Sequence, residues 1–373
     1  TRQTAAGFLP MQSMGVGFAT SAASQNAVAI AENDNVGNSN AGRRKSAANV
    51  IIMLSNGNPT MTARAALTSF NADGFTINWL NNEVRQDIIH YIAIGGTDIT
   101  NALAGSFNSS VAIGNQAIAG LGFQPDFVMF LSDGREAVDA NDTGYSDSQL
   151  SLGFAKSSAA RGAVVTGSRD AQANNLSKRS QQRTNACILL LSLPNVTAQD
   201  AIADFVSMDA NGFTVNWSNA PAAATPIFYL ALKGGQYNVG SFNQPIALGN
   251  QSVAGVGFQP TGLMTASFNK IAQAGIVAPN AISIGAAQST IALGSIWGEA
   301  RAIDPSDTNS YTNTGFAMTM ASGPATINAQ ADFVTFGNDG FTLNWTAVDA
   351  TARQILYWVI GPNLAKITHE EVY

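Results

Sequence analysis

The side chains with the greatest capacity for chemistry are few, and they do not recur together. The chain has two histidines, His90 and His369, and a single cysteine, Cys187. In the related segments further along the chain, Phe228 and Leu356 take the place of His90, so we interpret His90 as a packing residue. A Ser-His-Asp site would need a histidine with partners in a fixed arrangement, and no such arrangement recurs. We therefore predict no catalytic residue and no enzymatic activity, and one cysteine excludes an internal disulfide.

One polar stretch has the composition of a calcium loop. It covers residues 132–148 and reads SDGREAVDANDTGYSDS. Asp139, Asn141 and Thr143 have the spacing of the first ligands of such a loop. The twelfth position, where a calcium loop needs a bidentate Glu, is Leu150. The stretch is a calcium candidate with an incomplete ligand set, and otherwise a polar loop; no cofactor or other metal is predicted.

Two clusters of basic residues stand just before segments that match one another. The clusters are Arg43, Arg44 and Lys45 in the first third of the chain, and Lys178 and Arg179 in the second. The corresponding region of the last third holds Asp304 and Asp307. Two interpretations stay open: solvated loops, or contacts with an acidic partner surface such as the Asp-rich loop of an adjacent subunit.

The tryptophans fall into two groups. Trp79, Trp217 and Trp345 recur beside a Phe and an aliphatic residue on one face of a strand, which predicts core packing. Trp297 stands in the sequence Gly-Ser-Ile-Trp-Gly, which indicates an exposed turn. Together with Tyr311 it is the best candidate for a contact with a partner protein or a surface glycan.

The elements that must position these residues are given by a threefold internal repeat. The segments 74–79, 212–217 and 340–345 read GFTINW, GFTVNW and GFTLNW. Each Phe is followed 16 positions later by a Tyr in an apolar run: Tyr91, Tyr229 and Tyr357. Such self-similarity indicates a tandem array of one kind of module.

A second shared block sets the module boundaries. Residues 105–125 contain Gly-Ser-Phe, Gly-Asn-Gln and Gly-Phe-Gln-Pro, and the same block returns at 240–260. We predict modules at 1–98, 99–236 and 237–373. The first is short: Phe8 and Phe18 are 10 positions apart, against 31 between Phe123 and Phe154. Its opening strand is missing, and either cleavage removed that strand or a neighbouring chain supplies it.

The periodicity within the modules is that of strands. Apolar and polar residues alternate from Phe75 to Trp79, and Asp-Gly or Asn-Gly pairs precede each copy of this segment. Apolar runs of strand length follow at 88–94, 227–232 and 355–360. Helix signals are scarce, and residues 198–204 are expected to form at most a short turn of helix. We predict an all-β protein of three tandem antiparallel β-sandwich modules with a jelly-roll-like arrangement.

The composition limits the classes of partner. Charged residues make up 11% of the 373 residues and hydrophobic residues 46%, and the formal net charge is −6. A chain without a general basic field is not expected to bind nucleic acid. No apolar run reaches the roughly 18 residues of a membrane span, so no membrane insertion is predicted. Low charge with much Asn, Gln, Ser and Thr suits an extracellular or particle-bound β protein.

The order of these motifs resembles a known family. Gly-Phe-Gln-Pro before an apolar strand, then Asp/Asn-Gly-Phe-Thr-X-Asn-Trp, then a Tyr-containing strand is similar to the concanavalin/laminin-G-like jelly-roll modules of tailed-bacteriophage structural proteins. The resemblance implies a two-sheet sandwich and a virion location, as a capsid decoration, tail or fibre component. It carries no catalytic residue onto this chain. The expected partners are copies of the chain or other virion proteins; the alternative is a lectin-like array that binds a host-surface glycan.

Overall fold

The computed structural model describes residues 5–55, 59–83, 86–134, 144–193, 195–323, 326–361 and 365–371, the last range through its backbone alone. These residues form thirty β-strands and one four-residue helix. The pairing within the module sheets is antiparallel. The predicted all-β, sandwich-type fold is confirmed.

The strands follow the chain in three sets. The first set is β1 (Gly7–Leu9), β2 (Met11–Ser21), β3 (Ser24–Asn33), β4 (Ala41–Ser46), β5 (Ile51–Ser55), β6 (Thr60–Asn71), β7 (Gly74–Asn81) and β8 (Ile88–Ile94). The second is β9 (Asn101–Asn108), β10 (Gly114–Ala119), β11 (Phe127–Ser132), β12 (Tyr145–Ser146), β13 (Ser148–Ala155), β14 (Arg161–Ser168), α1 (Asn174–Ser177), β15 (Lys178–Arg183), β16 (Ile188–Ser192), β17 (Asn195–Asp209), β18 (Gly212–Asn219) and β19 (Pro226–Lys233). The third is β20 (Gln236–Asn243), β21 (Gly249–Ala254), β22 (Gly262–Ser267), β23 (Asn280–Ala287), β24 (Leu293–Arg301), β25 (Asp307–Asn313), β26 (Met318–Ser322), β27 (Thr326–Gly337), β28 (Gly340–Ala347) and β29 (Gln354–Gly361), after which comes β30 (Ala365–Glu371).

Modules two and three have the same two-sheet topology. In module two the inner sheet has the order β15-β14-β13-β11-β19-β9, and the outer sheet has the order β10-β18-β17-β16. In module three the matching orders are β25-β24-β23-β22-β29-β20 and β21-β28-β27-β26. The outer strands β18 and β28 alternate in polarity, so each outer sheet can bury its apolar face on an inner sheet.

The repeated Phe-to-Tyr spacing is a contact between the two sheets of each sandwich. The ring of Phe213 in β18 meets that of Tyr229 in β19 edge-on, with centroids 5.4 Å apart. Phe341 and Tyr357 repeat the contact at 5.4 Å in module three. Edge-to-face aromatic pairs stabilise a core beyond their buried area, so the spacing read from the sequence marks where each outer sheet is fixed to its inner sheet.

The inner sheets of all three modules face one common core. Its buried members come from module one, module two and module three in turn, among them Met14, Phe18, Leu152, Phe154, Ile282 and Ile284. An inner strand such as β11 is therefore buried on both faces, one toward this central core and one toward its own outer sheet. Because both faces are buried, the sequence of such a strand is a continuous apolar run and does not alternate between apolar and polar residues.

Three equivalent junctions join the modules into a ring. The edge strand β4 of module one pairs with β12, which precedes β13 of module two. Ser180 in β15 of module two bridges to Val277 just before β23, and β25 of module three pairs with β1 just before β2. Each inner sheet is thus extended at its edge by the chain that leads into the next module.

The C-terminal strand closes the ring. β30 pairs with β8 of module one, with Thr368 opposite Tyr91. In module two β9 pairs with β19 in the same register, with Gly105 opposite Tyr229, and β20 pairs with β29 likewise. β30 follows module three in the sequence, yet it takes the place of the first inner-sheet strand of module one.

Candidate assembly surface

Module one is the incomplete member of the ring. Its strands β4, β3 and β2 form one sheet that ends at β2, while β8 pairs with β30 in another. In modules two and three the central strands β11 and β22 join the corresponding pieces into one sheet. No residue of the described ranges occupies that central position in module one. This is the opening strand that the sequence predicts to be missing.

The outer sheet of module one is also short. It has three strands in the order β5-β6-β7, whereas β10 and β21 add a fourth strand beside β18 and β28 in the other modules. Among the described residues, β7 is therefore the end strand of its sheet. A terminal strand presents unpaired backbone donors and acceptors, which can template pairing with another strand.

The apolar face of β7 is correspondingly less covered than its counterparts. Phe213, Val215 and Trp217 in β18 are between 0% and 1% exposed. The matching residues of β28, which are Phe341, Leu343 and Trp345, are between 0% and 2% exposed. Phe75, Ile77 and Trp79 of β7 are only half-buried, although Phe75 keeps its edge-on contact with Tyr91 at 4.9 Å.

A glutamine from the fourth strand completes the tryptophan site in modules two and three. Gln116 Oε1 accepts a hydrogen bond of 2.8 Å from Trp217 Nε1, and Gln251 Oε1 accepts one of 2.9 Å from Trp345 Nε1. Both glutamines belong to the repeated Gly-Asn-Gln block, so the repeat itself carried the signal for this role. Trp79 has no such hydrogen bond to any residue of the described part of the chain.

The glycine at the start of each repeated segment shows the same difference. A Cβ added to Gly212 or Gly340 would clash with the carbonyl oxygen of Ile118 or Val253, both on the fourth strand. A Cβ added to Gly74 would meet nothing within 4 Å. In modules two and three, the missing Cβ thus lets the fourth strand come close to the repeated segment. In module one, no described residue lies that close to Gly74.

The basic residues of module one lie in a strand, not in the solvated loop that one interpretation of the sequence gave. Arg43 and Lys45 are in β4 and are buried, and both contact Asp133, which follows β11 of module two, at 3.6 and 3.5 Å. Arg43 also donates to the carbonyl oxygens of Ser146 and Asp147. The acidic partner that these residues contact in the structure belongs to the same chain.

A second buried ion pair connects the same two modules, with the cation in module two and the carboxylate in module one. Lys178 Nζ lies 2.7 Å from Glu32 Oε1, and neither side chain is exposed. Burial raises the pKa of the Glu32 carboxyl, and the neighbouring Lys178 ammonium opposes that rise. These charges align β15 and β3 at the junction between modules one and two.

The other two predicted contact cations are half-buried and bonded locally. Arg44 Nε donates to the carbonyl oxygen of Pro59 at 2.6 Å. Arg179 Nη1 donates to the carbonyl oxygen of Lys178 at 2.7 Å, and desolvation lowers the pKa of the Arg179 guanidinium. A contact with a partner chain at these two positions stays a prediction.

Trp297 and Tyr311 are not in an exposed turn. They lie opposite each other on β24 and β25 and are 0% and 7% exposed. The ring of Phe8 from β1 covers both, with centroids 5.9 Å from Trp297 and 4.6 Å from Tyr311. The expectation of an exposed turn was wrong because β1 adds to the edge of this sheet, which the spacing of Gly-Ser-Ile-Trp-Gly could not show.

The remaining candidates for chemistry are dispersed. Asp139, Asn141 and Thr143 lie outside the described residues. Cys187 is fully buried, and burial raises the pKa of its thiol well above the usual value. His90 Nε2 lies 2.8 Å from Thr312 Oγ1 of module three. Within the described ranges, no three His, Cys, Asp or Glu side chains come together as a group that could hold a metal ion.

One further carboxyl is buried without having been anticipated from the sequence. Glu299 in β24 is 5% exposed, and its Oε2 accepts a hydrogen bond of 2.8 Å from the backbone N–H of Gly323. Burial raises the pKa of Glu299 to about 7, although this hydrogen bond and the cations Arg301 and Lys270 oppose the rise. The carboxyl bonds to the turn that follows β26, so we interpret its role as structural.

Comparison with known proteins does not assign this chain to a group. No protein-family model matches it, and no curated protein matches it in sequence. In the part of the chain that the structure describes, no helix has the length and apolar character needed to cross a membrane.

Proposed function

We propose that this chain is a non-enzymatic structural protein that assembles with other polypeptides, and that it does so on a tailed-phage virion, as the resemblance of its motifs implies. One observation carries the assembly role: among the described residues, the outer sheet of module one ends at β7, and the apolar face of this strand is less covered than in both related modules. Edge strands of this kind pair readily with other chains.

The use of the charged residues supports a structural role. Arg43 and Lys45 contact Asp133, and Lys178 contacts Glu32, all across the junction between modules one and two. In some proteins buried ion pairs specify one arrangement of packed elements, and we assign the same role to these pairs.

The lectin-like alternative is not favoured by any contact described above. Its two candidate side chains, Trp297 and Tyr311, are covered by Phe8 and packed against module three. A stacking platform for a sugar needs an accessible aromatic face, and these rings do not offer one.

The proposal is tested by measuring association of the full chain. Light scattering and negative-stain imaging across a concentration series should show ordered oligomers, or the chain should co-sediment with virus particles from an infected host. The substitution Ile77→Lys, on the half-buried face of β7, should weaken that association. The substitution Thr76→Lys, on the exposed face of the same strand, serves as the matched control. A chain that stays monomeric at every concentration and sediments with no particle would contradict the proposed function.

A further inference from the structure

We propose that β7 of module one accepts an extended strand donated by another polypeptide, and that this strand has the pattern Gly-Asn-Gln-small-aliphatic-small. The inference rests on the proposed function, because it names the chemistry of the partner segment that the assembly surface would take. The pattern is that of β10 (Gly-Asn-Gln-Ala-Ile-Ala) and β21 (Gly-Asn-Gln-Ser-Val-Ala), the strands that cover the equivalent surfaces.

The backbone register of the donated strand follows from the two complete modules. β10 runs antiparallel to β18, with Gly114 opposite Trp217 and Ala119 opposite Gly212. β21 pairs with β28 in the same way, with Gly249 opposite Trp345. On β7 the first Gly of the donated strand would therefore stand opposite Trp79 and its last small residue opposite Gly74.

Three side chains of the donated strand would be specified by β7. The Gln would accept the hydrogen bond of the Trp79 indole, as Gln116 does for Trp217. The aliphatic residue would pack between the sheets beside Phe75, in the place of Ile118, which is 7% exposed in the core of module two. The Asn would lie opposite Asn78, as Asn115 lies opposite Asn216, which donates a hydrogen bond of 2.6 Å to it.

Within the 373 residues of this sequence, neither copy of the pattern is free to pair with β7. The sequence holds Gly-Asn-Gln only twice, at 114–116 and 249–251. Both copies are already paired within their own modules. Main-chain pairing gives affinity in such strand addition, while the pockets for alternate side chains give specificity.

The experiment uses the full chain and a synthetic peptide with the sequence of residues 112–121. A single cysteine is placed on the exposed face of β7 by Asn78→Cys; the natural Cys187 is buried and does not compete. The peptide carries a cysteine at its Asn115 position, which matches the predicted register, or at its Ala117 position, which does not. Since a disulfide needs Cα atoms within about 7 Å, we expect the matched peptide to cross-link roughly tenfold faster, as measured by mass spectrometry.

A second measurement tests the indole contact without altering the strand backbone. Fluorescence anisotropy of the labelled peptide should show roughly fivefold weaker binding after its Gln116→Ala change, as expected for the loss of one net hydrogen bond. That difference should vanish on the Trp79→Phe variant of the chain, which has no indole to donate. An equal Gln116→Ala effect on both chains would refute the assigned contact.

The remaining outcomes separate this inference from the proposed function. No binding of the peptide at millimolar concentration, or equal cross-linking of both peptides, would overturn the donated strand. Disulfide-linked dimers of the Asn78→Cys chain in the absence of peptide would overturn it in favour of pairing between two β7 strands. None of these results excludes co-sedimentation of the chain with virus particles. If the chain co-sediments, the proposed assembly role is supported even though the donated strand is refuted.

Discussion

Because the Glu299 carboxyl is buried in module three, we expect its ionisation to lower the stability of the fold at neutral pH. The pKa of Glu299 rises from an ordinary value of 4.5 to about 7 because the side chain is desolvated in β24. The folded state therefore binds a proton more tightly than the unfolded state between these two values. Stability should fall as pH rises through that window, because the folded protein must either keep the proton or bury a charge.

The magnitude follows from the size of the shift. One pKa unit corresponds to about 1.36 kcal/mol, so the difference between 4.5 and about 7 corresponds to about 3 kcal/mol of unfolding free energy once the carboxyl is ionised. Glu299→Gln removes the titration and keeps an oxygen that can accept the Gly323 N–H. We expect the variant to match the natural chain near pH 4 and to exceed its stability by about 3 kcal/mol at pH 8.

Urea unfolding followed by circular dichroism at pH values from 4 to 8 measures this difference. Glu32, whose pKa is also raised by burial, is present in both proteins, so its contribution cancels in the comparison. The measurement at pH 4 is the internal control for packing, because Gln is then compared with a neutral Glu. Two stability curves that stay parallel over the whole range would refute the reasoning.

Two other perturbations test the interior of the ring. Lys178→Met leaves the Glu32 carboxyl buried without its cation, so we expect the unfolding free energy to fall by about 3–5 kcal/mol. A second substitution, Glu32→Leu, should restore most of that loss. A double variant as unstable as the single one would contradict this expectation. The thiol of Cys187 should react with a disulfide reagent only as fast as the second module unfolds. Burial raises the pKa of this thiol well above the usual value and keeps the reagent from reaching it. Rapid labelling of the folded chain would contradict the burial.

Much of the local structure could be predicted because it depends on neighbours in the sequence. The alternation from Phe75 to Trp79 and the Asp-Gly turn before it are short-range patterns, and they predicted β7 and its counterparts correctly. A segment at 198–204 that could have been a turn of helix lies instead within β17. Its pairing with β16 and β18 decided the outcome, which illustrates how tertiary contacts override weak local preference.

The candidate site was predicted less well, because its side chains meet across long separations. The sequence left Arg43, Lys45 and Lys178 either in solvated loops or against an acidic partner surface. Nothing near them in the sequence shows that Asp133 and Glu32 lie beside them in the fold. For the same reason the covering of Trp297 by β1, almost 290 residues away, could not be read from its own surroundings.

The sequence by itself determined three repeated modules, their antiparallel strands and the shortness of the first module. These follow from turn residues and side-chain periodicity, which act within a few positions. The tertiary structure alone decided that the modules close into a ring and that the C-terminal strand β30 pairs with β8. It also decided that, in the part of the chain that the structure describes, β7 stands at the end of its sheet. Each of these outcomes depends on which distant strand pairs with a given sheet edge. The backbone donors and acceptors at a sheet edge are the same in every strand, so only the complete fold selects the partner.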